Sequence, residues 1–344
     1  MIEAKAAAAE PPEAPAPVTA PRERAVLGRV RTPLSHVLAE RAIFALAFVA
    51  IAAIVLIFAF IAKEALPLLW DADALEEIGG LSALFWPRRW PGYDEAVYVW
   101  QPVGATPKLN VVPLFVGTLK VTLLTLLISV PVGVGAAIYV SQYAPRWLRE
   151  IVKPALELLA AIPSVVLGFF ALMVLATWLQ EALGTLYRLN GLVAAAGMSL
   201  AIIPTIFTIS EDALSAVPVA LERASMALGA RKWQTTLYVV LPAALPGIAA
   251  AVILGLGRAV GETMIVLMAS GNAAVMELFD PTTSVRTVTA TIAAELGEVA
   301  QGDAHWRVLF LLGTLLFVVT FVLNRAGAMA IDRLHRKLTA GGTS

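Results

Sequence analysis

Six long apolar runs separated by polar stretches divide the chain. Ala42–Ala62 is uncharged throughout, long enough at 1.5 Å per residue to cross a ~30 Å hydrocarbon core. A secretory signal would have an apolar region of only about 7–15 residues closed by a small-x-small cleavage site, so this run reads as an uncleaved anchor. Val111–Val140 is longer than one crossing requires and is interrupted by Lys120; Val121–Val140 alone is uncharged, which places Lys120 at the outer interface with its amine in water. Leu158–Leu179, Gly191–Ser210, Ala243–Ser270 and Trp306–Leu323 complete the set. The pattern predicts an all-α membrane protein with six transmembrane helices in one domain over residues 36–340. Residues 1–35 begin Ala- and Pro-rich, a composition that buries too little apolar surface to fold, and predict a disordered tail.

Charge gives the orientation. Lys and Arg concentrate in the two tails and in the second and fourth loops, including Arg22, Arg24, Arg29, Arg31, Arg146, Arg149, Lys153, Arg223, Arg231, Lys232, Arg333 and Arg336. The positive-inside rule therefore predicts both termini in the cytoplasm and the loop WPRRWPGYDE outside, lying against the membrane surface. Over the whole chain 25 basic and 25 acidic residues cancel, which gives no general attraction to nucleic acid. Hydrophobic residues make up 59% and charged residues 15%, and mean hydropathy is +0.80; a soluble domain has about a quarter of its residues charged. No cysteine is present, and His36, His305 and His335 are far apart. Thiolate chemistry is excluded, and no nucleophile–base pair or metal-ligand spacing points to a membrane enzyme.

Prolines sort the spans. Pro131, Pro163, Pro204 and Pro246 fall within or at the mouth of spans two to five, and spans one and six have none. Proline frees a carbonyl and bends a helix, a device found beside internal cavities in membranes. Spans two to five are the expected pathway walls, and one and six the scaffold.

Between spans four and five lies a polar island within 211–242, with Glu222–Pro242 at its centre: ERASMALGARKWQTTLYVVLP. Pro218 and Gly229 bracket a run of helix formers, and Arg231 and Lys232 open a second. A short helix, a glycine corner and a return helix make a knob on one membrane face. In span five, Arg258 and Glu262 are four apart and are expected on one helical face. Counted from Pro246, Arg258 is about 12 residues or ~18 Å deep, where an arginine costs about 2.5–3.5 kcal/mol on insertion scales. Such charges must face a cavity, each other or a partner. A guanidinium holds a tetrahedral oxyanion bidentately and stays charged at any working pH. Gly255, Gly257 and Gly261 keep that face narrow.

Two resemblances follow from these stretches. Glu222, Ala224, Gly229, Val239 and Leu241-Pro242 resemble the cytoplasmic EAA loop of ABC-importer permeases. In that family the loop docks into a separate ATP-binding subunit and couples ATP-driven closure to the membrane helices. Val239 stands where the family usually has Ile. RAVGETMIV, with PLFVGTLKVTLLTLLISVPVGVGAAIYVSQYAP, LELLAAIPSVVLGFFAL and IAAELGEVAQGDAHWRVLFLLGTLLF, resembles the phosphate-importer permeases of the ABC class, and the PstC-type subunit more than its PstA-type sister.

The resemblance runs from about residue 36 to the C-terminus. It implies the ABC type I importer permease fold in a bacterial inner membrane. It also implies a sister PstA-type permease, two ATP-binding subunits and an extracytoplasmic phosphate-binding protein as partners, with Glu222, Ala224, Gly229, Leu241 and Pro242 as the coupling residues. The chain has no G-x-x-x-x-G-K-[ST] motif, so ATP and Mg are expected in partner subunits and no cofactor here. Arg258 and Glu262 are the candidate phosphate path, with Glu262 able to accept the proton that hydrogen phosphate carries and sulfate lacks. Lys120 is a weaker candidate at the entrance. A permease for molybdate or sulfate is the alternative within transport, and a membrane enzyme or a non-transporting sensor the alternatives outside it.

Overall fold

The computed structural model describes residues 34–340 except 91 and 105. The expected disordered tail lies almost wholly outside these residues. The chain divides between Val55 and Leu56 into two units. The first, as far as described, is the exposed apolar part of helix α1, Leu34–Ala65; everything that follows belongs to the second.

After α1, two short helices, α2 (Ala72–Ile78) and α3 (Leu81–Phe85), and two antiparallel ribbons, β1 (Arg88–Arg89) with β2 (Ala96–Val97) and β3 (Trp100–Gln101) with β4 (Lys108–Leu109), precede the next span. The region expected as a surface loop is thus a folded cap with its own core, in which Leu68, Ile78, Leu84, Trp100 and Leu109 pack with Leu114, Val308 and Leu312. Local chemistry explains it. Asp71 caps α2 by accepting from the Asp73 and Ala74 amides and pairs with Arg307. Asn110 donates to Ala83 O and Trp86 O at 2.9 and 3.0 Å and accepts from Val112 N at 3.1 Å, which locks the cap to the start of the next helix.

That helix is α4, Val112–Gln142. An amphipathic helix follows, α5 (Arg146–Ala161), where the sequence suggested a plain loop running into span three. Ile162-Pro163 then breaks the expected span: the residue before proline is driven to extended backbone, and Ile162 has ψ 127°. Span three is Ser164–Leu183, made of α6 (Ser164–Phe170), a π turn (Ala171–Leu175) and α7 (Ala176–Leu183). Span four is α8, Gly191–Ser215, one turn longer than its apolar run. It is the most buried of the candidate spans: 61% of its most apolar stretch is inside, against 33% for α4 and 28% for span five. The central core joins Val121, Leu167, Ala171, Ala194, Met198, Ile202, Ile206 and Ile265 around it.

The knob consists of α9 (Val219–Ala227) and α10 (Lys232–Thr235). A π turn, Thr236–Val240, joins α10 directly to α11, Leu241–Gly261, so span five starts at Lys232 rather than Ala243 and stops at Gly261 rather than Ser270. The rest of the expected run becomes a separate helix, α12 (Met264–Ala269). Within the expected last outer loop, α13 (Val288–Glu295) carries the buried Glu295, which is bonded by Arg286, by His305 at 2.8 Å and by Trp100 at 3.0 Å. Finally α14, Ala304–Ala340, extends span six straight into the basic tail. Six helices in all are long and apolar enough to cross a membrane among the described residues.

Candidate functional site

Arg258 lies in the last turn of α11, and its Nη1 donates to Thr205 Oγ1 on α8 at 2.8 Å. Thr205 follows Pro204 near the middle of α8, so the guanidinium is level with the middle of that helix while standing three residues from the end of its own. Its side chain is exposed and lines a cavity of about 570 Å³ with Leu254, Gly257, Gly313, Thr320 and Asn324. One hydrogen bond leaves most of its five N–H donors free to meet an anion.

Glu262 departs from the expectation. It does not share a helical face with Arg258, because α11 ends at Gly261 and Glu262 adopts extended backbone, with ψ 133°. Its Oε1 instead accepts from the amides of Thr263 and Met264 at 3.1 and 3.2 Å, and more distantly from Ile265, capping α12. Its carbonyl accepts from Thr289 of α13 at 2.8 Å. No ion pair joins Arg258 and Glu262 among the described residues. A carboxylate that ends one helix and starts the next supplies acceptors to amides otherwise left unpaired in a membrane interior. The break falls within about one turn of Arg258, and broken helices at such depth occur only in protein or beside a water-filled cavity. Of the three glycines, Gly255 packs against Ile206 and Gly257 against Asn324, while Gly261 faces open space.

Lys120 is not at the surface. It is 2% exposed, and its Nζ donates to Glu277 O at 2.9 Å and Thr283 Oγ1 at 2.6 Å. The ammonium pins the loop after α12 onto α4. Asp280 in that loop is held below the usual carboxylate range, first by the Thr282 hydroxyl, then by its amide, with Lys120 adding attraction.

In the knob, Gly229 follows the end of α9 with φ +89°, a left-handed backbone that costs a side-chain-bearing residue about 1–2 kcal/mol. A Cβ there would meet nothing within 4 Å, so the requirement is conformational. Ala224 is exposed and Glu222 half-exposed on α9. Leu221, Met226, Leu228 and Trp233 give the knob an apolar outer surface, with Leu228 at 90%, and Leu237 and Tyr238 of the adjoining π turn extend it. Leu241 and Pro242 begin α11. Sequence reasoning missed Thr205 and Asn324: neutral residues on other helices leave no mark until the helices are packed.

Residues 129–337 match the family described as "Binding-protein-dependent transport system inner membrane component". The chain is 38% identical over 225 residues to the probable ABC transporter permease protein YqgH of Bacillus subtilis, covering 65% of this chain and 72% of that one. It is 38% identical over 262 residues to the phosphate transport system permease protein PstC of Mesorhizobium japonicum, covering 70% and 78%. With PstC of Xylella fastidiosa (strain 9a5c) the identity is 33% over 307 residues, covering 83% and 89%. Among solved structures, a bacterial alginate ABC transporter in complex with a pentasaccharide-bound periplasmic protein aligns with TM-score 0.54 at 17% identity, over 87% of this chain and 96% of that chain. That likeness bears out the importer-permease fold expected from the sequence. The chain belongs to the family of inner-membrane components of binding-protein-dependent ABC transport systems, as a multi-pass membrane subunit.

Proposed function

We propose that this chain is the PstC-type permease subunit of an ATP-driven phosphate importer, working by alternating access. The observation that carries the reading is Arg258. It is a fixed cation level with the middle of α8, tied to one neighbouring hydroxyl and open on a cavity beside a helix break. In a chain with no partner, that guanidinium would face lipid at a cost of about 2.5–3.5 kcal/mol; a sister permease closing over the cavity leaves it to water and an oxyanion. The names of the relatives with 33–38% identity support phosphate as that oxyanion.

ATP and Mg then act in two separate ATP-binding subunits, a PstA-type sister completes the pathway, and an outer phosphate-binding protein delivers the ion; this chain binds no cofactor. The apolar knob around Glu222, Ala224 and Gly229 is the docking element for the ATP-binding subunit, and both termini face the cytoplasm. Glu262 shapes the break beside the path, and Lys120 steadies the outer loop at its entrance. The test is uptake of labelled phosphate by the reconstituted complex against excess molybdate, sulfate and arsenate. Inhibition by arsenate alone supports phosphate; equal inhibition by molybdate or sulfate supports the other oxyanion reading.

A further inference from the structure

Two adjacent threonines at the junction of knob and span five have different partners. Thr235 Oγ1 lies 2.9 Å from Ser225 Oγ of α9, which closes the knob on itself. Thr236 Oγ1 accepts from the Tyr143 hydroxyl at 3.2 Å and donates to Lys232 O at 3.0 Å. Tyr143 is the residue that ends α4, and the Lys232 ammonium stands 5.2 Å from its ring centroid. Both threonines are buried. Thr236 also opens the π turn Thr236–Val240, a wide turn that usually occurs as a single defect in an α-helix, often at functional positions. The end of α4 is itself anchored, since Arg149 of α5 donates to Val140 O at 2.9 Å and also to Ser141 O.

We infer that Tyr143 is a positioning residue that latches the knob to span two at the knob side of the π turn. A pull on α9 and α10 would otherwise be taken up where the helix is least regular, at Thr236–Val240, before it reached α11. The Tyr143 hydroxyl on Thr236 and its ring under Lys232 bridge both ends of α10 to a different span, so knob and α4 move as one body. Span two thereby receives the pull directly. The inference rests on the coupling role proposed above for the knob.

The absence of native cysteine permits spin labels at Arg231→Cys, exposed at the start of α10, and Leu127→Cys on α4. Distances are measured in the complex with its ATP-binding subunits, in ADP and in ATP, with no phosphate required. One narrow distance, the same in both nucleotides, is expected in the wild-type and Thr236→Ser backgrounds, where the hydroxyl is kept. Tyr143→Phe and Thr236→Val should broaden it and make it nucleotide-dependent. ATP consumed per phosphate imported should rise about three- to tenfold, the range of one net hydrogen bond. Tyr143→Phe combined with Thr236→Val should be no worse than Thr236→Val alone, because that change already removes the Tyr143 contact along with the bond to Lys232 O. The latch is overturned if the distance ignores both changes, or if the double variant shows the product of the single effects. A wild-type complex with the narrow distance and no phosphate uptake would overturn the substrate while supporting the latch; failure to assemble with any ATP-binding subunit would overturn the latch together with the coupling role.

Discussion

Arg258 Nη1 reaches Thr205 Oγ1 at 2.8 Å, from the last turn of α11 to the middle of α8. This contact aims the guanidinium, and no carboxylate among the described residues pairs with the charge. Glu262, one turn further in sequence, serves the backbone of α12 instead. The two charges therefore answer to different tests.

Arg258→Gln should abolish phosphate uptake with insertion and ATPase assembly intact, and Arg258→Lys should leave only a small fraction, since a point charge lacks the planar fork. Glu262→Gln keeps an acceptor oxygen for the α12 amides and should preserve folding; Glu262→Ala removes it at a cost of about 1 kcal/mol, the usual effect of losing a cap. Because no bridge joins the two residues, Arg258→Gln with Glu262→Gln should stay folded and inactive. Uptake measurements on the five variants, with thermal unfolding in detergent, check this; recovered uptake in the double variant would make the pair structural.

Gly229→Val should block coupling through backbone strain alone, since the space around Gly229 is open. Gly229→Asn should be milder, because Asn tolerates the left-handed region. Glu222→Lys should reverse the charge of the docking face and weaken capture of the ATP-binding subunit. Co-purification of that subunit, compared with membrane content of the chain, reads all three; undiminished capture and uptake would exclude the knob as the coupling element.

Single cysteines at Ser82 and Ser215 test the orientation. Both positions are exposed, so labelling reports side rather than burial. An impermeant reagent applied to intact cells should modify Ser82→Cys and spare Ser215→Cys, and the reverse pattern would invert the topology.

Asp71 predicts an acid limit for the outer cap. Its carboxyl is held below the ordinary value, first by the hydrogen bond from Arg307 and then by the Ala74 amide. A depressed folded value means stability that is fully present above the unfolded pKa, about 3.9, and lost as pH falls through the lower folded one. Asp71→Asn retains an acceptor for the α2 amides and removes only the charge. The melting-temperature gap between wild type and Asp71→Asn should be constant above about pH 5 and close below about pH 4. A gap independent of pH would mean that the Arg307 pairing contributes nothing.

What the residues alone determine here is the number of spans, the polar knob and the chemistry at position 258. Each follows from a local rule: apolar length against bilayer thickness for the spans, proline and glycine at the ends of the knob's helix, and the cost of a guanidinium in hydrocarbon for Arg258. Only the tertiary structure decides the rest. Hydropathy cannot see the breaks at Ile162-Pro163 and Glu262, because apolar residues continue on both sides of each. Spacing of four placed Glu262 beside Arg258 on the assumption of an unbroken helix, and the carboxylate's bonds to the α12 amides remove that assumption. Lys120 looked interfacial until the loop carrying Glu277 and Thr283 folded over it, and Tyr143 acquired a role only when Thr236 met it across 93 residues of chain. Such contacts join residues distant in sequence, and no periodicity encodes which helix will lie beside which.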